Sequence, residues 1–259
     1  MTQDANKSLG TVVGEKIYDH WPAQIPRKFA PYSLMVLTLL LGGGLVTGLV
    51  AGAAEVYEWV RESSGATQLD QAILDQMLTL RSPSLDQSFT WFTNLGGTIG
   101  MTIVAIVAVI LLSWSSRSWR ALILVASAAT GSLAMTIAGK LLIGRARPSL
   151  EDAVPPYEQS ASFPSGHTLN ATAILTVVAY LVFIEFTKAW QRIVAITLCG
   201  SFILAMGMSR IYLGHHWFSD VLAAFLVGLA WAAVVILAHG LWWTVKEHRQ
   251  HDQGRQQAD

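Results

Sequence analysis

Three short stretches of the chain carry residue types that handle phosphate when they stand together. KLLIGRARP, Lys140 to Pro148, supplies Lys140, Arg145 and Arg147; FPSGHTLNA, Phe163 to Ala171, supplies Ser165, Gly166 and His167; SRIYLGHHWFSD, Ser209 to Asp220, supplies Arg210, His215, His216 and Asp220. Lys140, Arg147 and Arg210 are fixed cations with enough donors to surround the oxygens of an oxyanion by charge-assisted, partly bidentate bonds. Ser165 is a natural N-cap, Gly166 lets backbone approach an anion closely, and the free N–H groups of the following turn point at it. His216 and Asp220 are four apart, so a helix puts them on one face. Asp220 can then accept a proton from one imidazole nitrogen and leave the other free to attack, with histidine itself as nucleophile.

Each residue also has an ordinary structural use. Lys140 and Arg147 can be interface anchors snorkelling toward headgroups, Pro164-Ser165-Gly166 is a common turn, and Asp220 suits the first turn of any helix. A histidine near a helix end can simply be a satisfied interface residue. Arg145 is an extra cation that fits either a second phosphate or lipid headgroups. A metal site built from His215, His216 and Asp220 is disfavoured, because adjacent residues on a helix point about 100° apart. Cys199, the single cysteine, sits among apolar neighbours and reads as a small buried hydrophobe, which leaves no internal disulfide.

The elements that must position these blocks are membrane helices. Of 259 residues, 53% are hydrophobic and 13% charged, against roughly 45–50% and about 25% in soluble domains. Lys plus Arg equals Asp plus Glu at 17 each, so bulk basic charge for nucleic acid is missing. Ser33 to Ala54 is free of charge and long enough to cross about 30 Å of hydrocarbon. Further apolar stretches at Phe89–Ser113, Ala121–Gly139, Leu169–Ile184, Ile193–Ser209 and Val221–Ala238 make about six spans. The sequence therefore predicts an all-α, polytopic membrane bundle. Between the first two spans, Leu69, Ile73, Leu74, Met77, Leu78 and Leu80 recur near helical spacing against Asp70, Asp75 and Arg81, which predicts a surface amphipathic helix or a connector with a packed stripe. Residues 1–32 read as an N-terminal tail, 33–240 as the membrane domain and 241–259 as a C-terminal tail, polar from Lys246 onward and expected without fixed structure.

The three chemical blocks fall at one face of this bundle. Eleven basic residues, including both tails, Arg117, Arg120, Lys188 and Arg192, fall on one side, and six, including Lys140, Arg147 and Arg210, on the other. The first side is expected in the cytoplasm, with both termini, and the blocks outside or in the periplasm.

The spacings Lys140-x6-Arg147-Pro148, Pro164-Ser165-Gly166-His167 and Ser209-Arg210-x5-His216-x3-Asp220 resemble the three-part signature of the type 2 phosphatidic acid phosphatases (PAP2), a superfamily that also holds acid phosphatases and vanadium haloperoxidases. All three parts occur complete and in order. Arg81 to Asp86 and Thr93-Asn94-Leu95-Gly96 resemble its bacterial membrane branch. The resemblance implies that Lys140, Arg147, Ser165, Gly166 and Arg210 hold the phosphate and that His216 attacks phosphorus to become phosphohistidine. It further implies that Asp220 orients His216, while His167 protonates the leaving oxygen and then activates water. No metal or cofactor is implied.

The expected protein is a lipid phosphatase of a bacterial plasma membrane, its partners the surrounding lipids and a phosphorylated lipid substrate. Undecaprenyl pyrophosphate, phosphatidylglycerol phosphate, phosphatidic acid and lipid A phosphates stay open as substrates. A lipid-to-lipid phosphotransferase would use the same residues. A transporter is the reading from another class, weakened because the charges gather at one face and no repeat is visible.

Overall fold

The computed structural model describes residues 30–62 and 64–256, and all regular structure in it is helical. The helices are α1 (Ala30–Glu62), α2 (Ser64–Thr79), α3 (Pro83–Asn94), α4 (Thr98–Ser116), α5 (Arg120–Ile143), α6 (Gly166–Glu185), α7 (Ala189–Tyr212) and α8 (Phe218–Gln256). Six of them, all but α2 and α3, are long and apolar enough to span a membrane. The basic residues expected in the N-terminal tail, Lys7 to Lys28, lie outside the described residues.

Helix α6 is the axis of the bundle and packs against α4, α5, α7 and α8. Its apolar residues go all the way round, as a helix surrounded by others requires: Leu169, Ala171, Ala173, Val177 and Leu181 are fully buried. The peripheral helices instead turn large apolar side chains outward, such as Leu40, Ile99, Trp114 and Leu142. A water-soluble protein does not tolerate such a belt, and lipid tails cover it without cost. Helix α1 lies along α8, with Gly42 against Leu237 and Gly52 against Leu226, small residues that bring the two backbones together.

Three expectations change at element ends. The second span starts at Thr98 rather than Phe89, because residues 83–94 form the separate helix α3. Ser82 caps it by accepting from the Leu85 N–H at 3.4 Å, Pro83 opens it, and Asp86 sits in the first turn. The expected single amphipathic helix is therefore two, α2 and α3, broken after Thr79. At the other end, α8 continues through Gln256, so the polar stretch after Lys246 is helical and not an unstructured tail.

Helix α5 stops at Gly144, whose φ of 62° is left-handed and whose N–H returns to Lys140 O at 3.3 Å. That reversal sends Arg145 and Arg147 back over the end of the bundle.

Candidate active site

The helix ends α5, α6, α7 and α8 and the loop 144–165 bring all three sequence blocks together. Arg147 is the hub. Its Nε donates to Ser160 O at 2.7 Å, its Nη1 to His215 O at 2.6 Å, and its Nη2 to Glu158 Oε2 at 3.0 Å. Lys140 Nζ donates to Ser160 Oγ at 2.7 Å and Ala161 O at 2.8 Å. Arg210, 1% exposed, donates from Nη1 to Thr93 Oγ1 at 2.9 Å and pairs through Nη2 with Glu158 Oε1. Thr93 thus steadies Arg210.

His216 is buried at 1% exposure, and its partners define its tautomer. Arg147 Nη1 lies 3.1 Å from His216 Nε2, and a guanidinium has donors only, so Nε2 is the acceptor and the ring proton is on Nδ1. Nδ1 faces Ser162 Oγ at 3.4 Å and Asp220 Oδ2 at 3.5 Å, and Ser162 Oγ donates in turn to Asp220 Oδ2. Asp220 also accepts the Trp217 N–H at 3.0 Å. The Nε2 lone pair therefore faces the cation cluster while the carboxylate stands behind the ring. Burial, reinforced by Arg210 and Arg147, pushes the His216 pKa well below the ordinary histidine value, so at neutral pH the ring is an uncharged base.

His215, next in line, turns elsewhere: its Nε2 is 2.7 Å from Val154 O, and burial followed by Arg210 lowers its pKa to about 4. The two rings are divided by local backbone. Gly214 takes φ 68°, and a Cβ there would lie 2.3 Å from Asp152 O, so only glycine makes this turn.

Ser165 and Gly166 open α6. Ser165, the N-cap residue, has its hydroxyl 3.0 Å from Thr168 Oγ1. Gly166 faces Thr136 of α5, whose Cγ2 a Cβ would meet at 2.9 Å. The first-turn N–H groups of α6 have no intrahelical acceptor. One residue further, His167 Nδ1 lies 3.9 Å from Glu158 Oε1. That is the carboxylate oxygen Arg210 also meets, while Arg147 holds the other.

Sequence reasoning missed four participants. Glu158 sits where the cations converge, and although burial opposes its charge, Arg210, His216, His167 and Arg147 hold its pKa at about 2. Its carboxylate bridges Arg147 and Arg210, one oxygen to each. Ser162 links His216 to Asp220. Asp70 of α2, expected on a solvated face, is 1% exposed and accepts from Ser219 N at 2.9 Å, Ser219 Oγ at 2.6 Å and Arg145 Nη2 at 2.7 Å. Ser219 completes that knot. One signal was available: Ala66, Asp70 and Leu74 share a helix face and all are buried, so the acid interrupts an apolar row.

Arg145, which the sequence offered to a second phosphate or to headgroups, has its terminal nitrogens on carboxylates. Nη1 donates to Asp220 Oδ1 at 2.5 Å and Ser219 Oγ at 2.7 Å, while Nη2 meets Asp70. Its donors stand behind Asp220 and not at the anion position. The charges thus separate into two groups: Arg145 between Asp70 and Asp220, and Lys140, Arg147 and Arg210 around Glu158 alone. The second group keeps two positive charges in excess, which suits a dianionic phosphate monoester.

The chain is a membrane-embedded phosphatase, with a buried histidine, a carboxylate behind its ring and a surplus of cations at one end of the bundle. Residues 120–243 match the family model of the PAP2 superfamily. Phosphatidylglycerophosphatase B of Bacillus subtilis (strain 168) is 28% identical over 224 residues, 86% of this chain and 99% of that protein. A crystal structure described as the first transmembrane PAP2 type phosphatidylglycerolphosphate phosphatase, from Bacillus subtilis, superposes with a TM-score of 0.68 at 25% identity, covering 73% of this chain and 93% of that one. Aquifex aeolicus LpxE shares the fold at 24% identity and a TM-score of 0.51, over 64% of this chain and 93% of that one.

Proposed function

We propose that the protein removes the terminal phosphate of a membrane lipid, phosphatidylglycerol phosphate first among the candidates, through a phosphohistidine on His216. The observation that carries this reading is His216 Nε2, unprotonated and 3.1 Å from Nη1 of Arg147, the guanidinium whose Nη2 pairs with Glu158 at 3.0 Å. The incoming phosphate displaces the Glu158 carboxylate and takes over Arg147, Arg210 and Lys140. Arg147 thereby leaves Nε2, whose lone pair attacks phosphorus. The P–O bond to the lipid breaks as the N–P bond forms, and His167 gives its proton to the departing oxygen. His167 then takes a proton from water, whose oxygen attacks the phosphohistidine, releasing inorganic phosphate and restoring His216. Asp220, with Ser162, holds the Nδ1 proton and stabilises the cationic ring of the intermediate.

The similarity to the Bacillus protein supports phosphatidylglycerol phosphate; undecaprenyl pyrophosphate, phosphatidic acid and lipid A phosphates form the comparison set. Phosphate release from each by purified protein in chelator tests the choice. The account expects the first to be the preferred substrate and His216→Ala to release none. Preference for a different lipid replaces the substrate assignment, and turnover by His216→Ala removes the mechanism.

The eleven-to-six distribution of basic residues supports a site facing the periplasm or exterior. Single cysteines at Glu151 and Ser115, in a chain lacking Cys199, test it. An impermeant thiol reagent applied to cells with a permeable outer membrane should label position 151 and spare 115, and the reverse pattern inverts the topology.

A further inference from the structure

We infer that the end of the bundle opposite the catalytic residues holds a second lipid site, which binds an anionic phospholipid of the adjoining leaflet without turning it over. A cavity of about 1130 Å³ opens there between α5 and α8, its walls formed by Ile123, Leu124, Trp231, Val235 and Trp242. At its depth, Trp231 packs against α5, donating from Nε1 to Ser127 O at 3.0 Å, and Gly131 makes room: a Cβ there would be 2.1 Å from the indole ring. Its mouth carries Arg117, Arg120 and Lys246. From Arg120 to Gly131 the helix rises about 16 Å, close to half of a hydrocarbon core of about 30 Å. The cavity therefore has the depth of one leaflet, with cations at headgroup level and apolar walls below.

Arg120 indicates what the cavity holds. The residue is 7% exposed; its Nη2 is bonded to Glu185 Oε1 at 2.8 Å, while Nε and Nη1, both buried, have no hydrogen-bond partner. Buried donors on a cation are expensive to leave unmade, and an anionic oxygen entering the cavity would meet them. Glu185 neutralises one charge, so Arg117 and Lys246 remain in excess at the mouth. Lys246 is fixed there over the rings of Trp242 and Trp243, at 5.1 and 4.8 Å. A phosphodiester anion complements this set, whereas a choline headgroup would bring a cation toward Arg117 and Lys246.

The cavity has no second catalytic centre to explain it. His239, the histidine that lines it, is used structurally. Trp243 Nε1 donates to His239 Nε2 at 2.8 Å, so Nδ1 carries the ring proton and faces the Tyr180 hydroxyl at 2.8 Å. The site is one of binding, and α5, α6 and α8 connect it to the catalytic end.

Native mass spectrometry of the full chain in neutral detergent, titrated with dioleoylphosphatidylglycerol or dioleoylphosphatidylcholine, tests the site. The wild type should retain one phosphatidylglycerol in preference to phosphatidylcholine. Arg117→Ala with Lys246→Ala should weaken that retention about thirtyfold, and Thr130→Trp, which fills the cavity wall, should abolish it. Both variants should still release phosphate from a short-chain substrate, which verifies that they are folded. Arg210→Ala, which disables the catalytic anion position, should leave retention unchanged. Equal retention of the two lipids, wild-type affinity in the double variant, or loss that follows Arg210→Ala would overturn the inference; the last would place the retained lipid in the catalytic site.

Discussion

The two ends of the bundle handle buried charge in opposite ways. At the opposite end one ion pair, Arg120 with Glu185, is nearly sealed at 6% and 4% side-chain exposure and leaves three of its polar atoms unpartnered. At the catalytic end four cations and three carboxylates lie in one continuous web with Ser160, Ser162, Ser219 and Thr93. The isolated pair is a structural link that is costly to break from either side. The web divides into a half behind Asp220, where one arginine is held between two carboxylates, and a half around Glu158, where three cations share one carboxylate. A bundle can thus keep buried cations only by pairing them, and where it leaves a surplus, it has prepared a place for an anion.

The largest expected contrast comes from removing one arginine at each end. Arg210→Ala should lower kcat/KM by about 10²- to 10³-fold or more, while leaving thermal stability of the detergent-solubilised protein within a few degrees. Arg120→Ala should do the reverse, losing about 3–5 kcal/mol of stability with turnover retained at low temperature. Equal behaviour of the two variants in melting and in phosphate release would erase the distinction.

Within the catalytic end, the two halves should also separate. Arg145→Ala touches Asp220 and not the anion, so it should lower the rate of phosphohistidine formation about tenfold, with inorganic phosphate binding little changed. Lys140→Ala should weaken phosphate binding. Product-inhibition constants measured alongside single-turnover rates distinguish the two, and a matching pattern would merge the halves.

Glu158→Gln removes the internal competitor of the substrate anion. A hydrogen bond to a charged group contributes about 1.5–3 kcal/mol, so inorganic phosphate should inhibit this variant at about tenfold lower concentration. Unchanged inhibition would mean that Glu158 does not occupy the phosphate position.

The smallest effect concerns pH. The His216 pKa is depressed in the folded protein, so the neutral ring is favoured by folding. That contribution to stability is present above the ordinary histidine pKa and is lost as the pH falls below it. With a leaving group that needs no proton from His167, intermediate formation should therefore stay flat between about pH 8 and 6, with its acid limb below the ordinary histidine value of about 6.5. Arg210→Ala removes a major cause of the depression and should move that limb upward.

These contrasts also separate what the sequence could reveal from what it could not. The three blocks were legible because each sits at a helix end with rigid local spacing; His216 and Asp220 share a face by helix geometry alone. Six spans followed from hydropathy. The start of the second span did not, because Phe89, Trp91 and Phe92 continue the apolar run while the chain reverses at Gly96-Gly97, a turn that average hydropathy does not register. Glu158 and Ser162 lie in an irregular loop with no period to expose them. Asp70 reaches Arg145 across 75 positions of sequence, a juxtaposition only the folded chain creates. Arg145 was ambiguous for the same reason: its partners come from α2 and α8, and neither is legible near it in sequence.

The central claim is that His216 Nε2 is the atom that takes the phosphate. Rapid-quench labelling with phosphate-labelled lipid, followed by peptide mapping under conditions that preserve phosphohistidine, tests it directly. The account predicts label on His216 in the wild type and none in His216→Ala. It also predicts a longer-lived label on His216 in His167→Ala when the leaving group needs no proton. Label on His167, or burst turnover by the wild type with no labelled histidine, would contradict it.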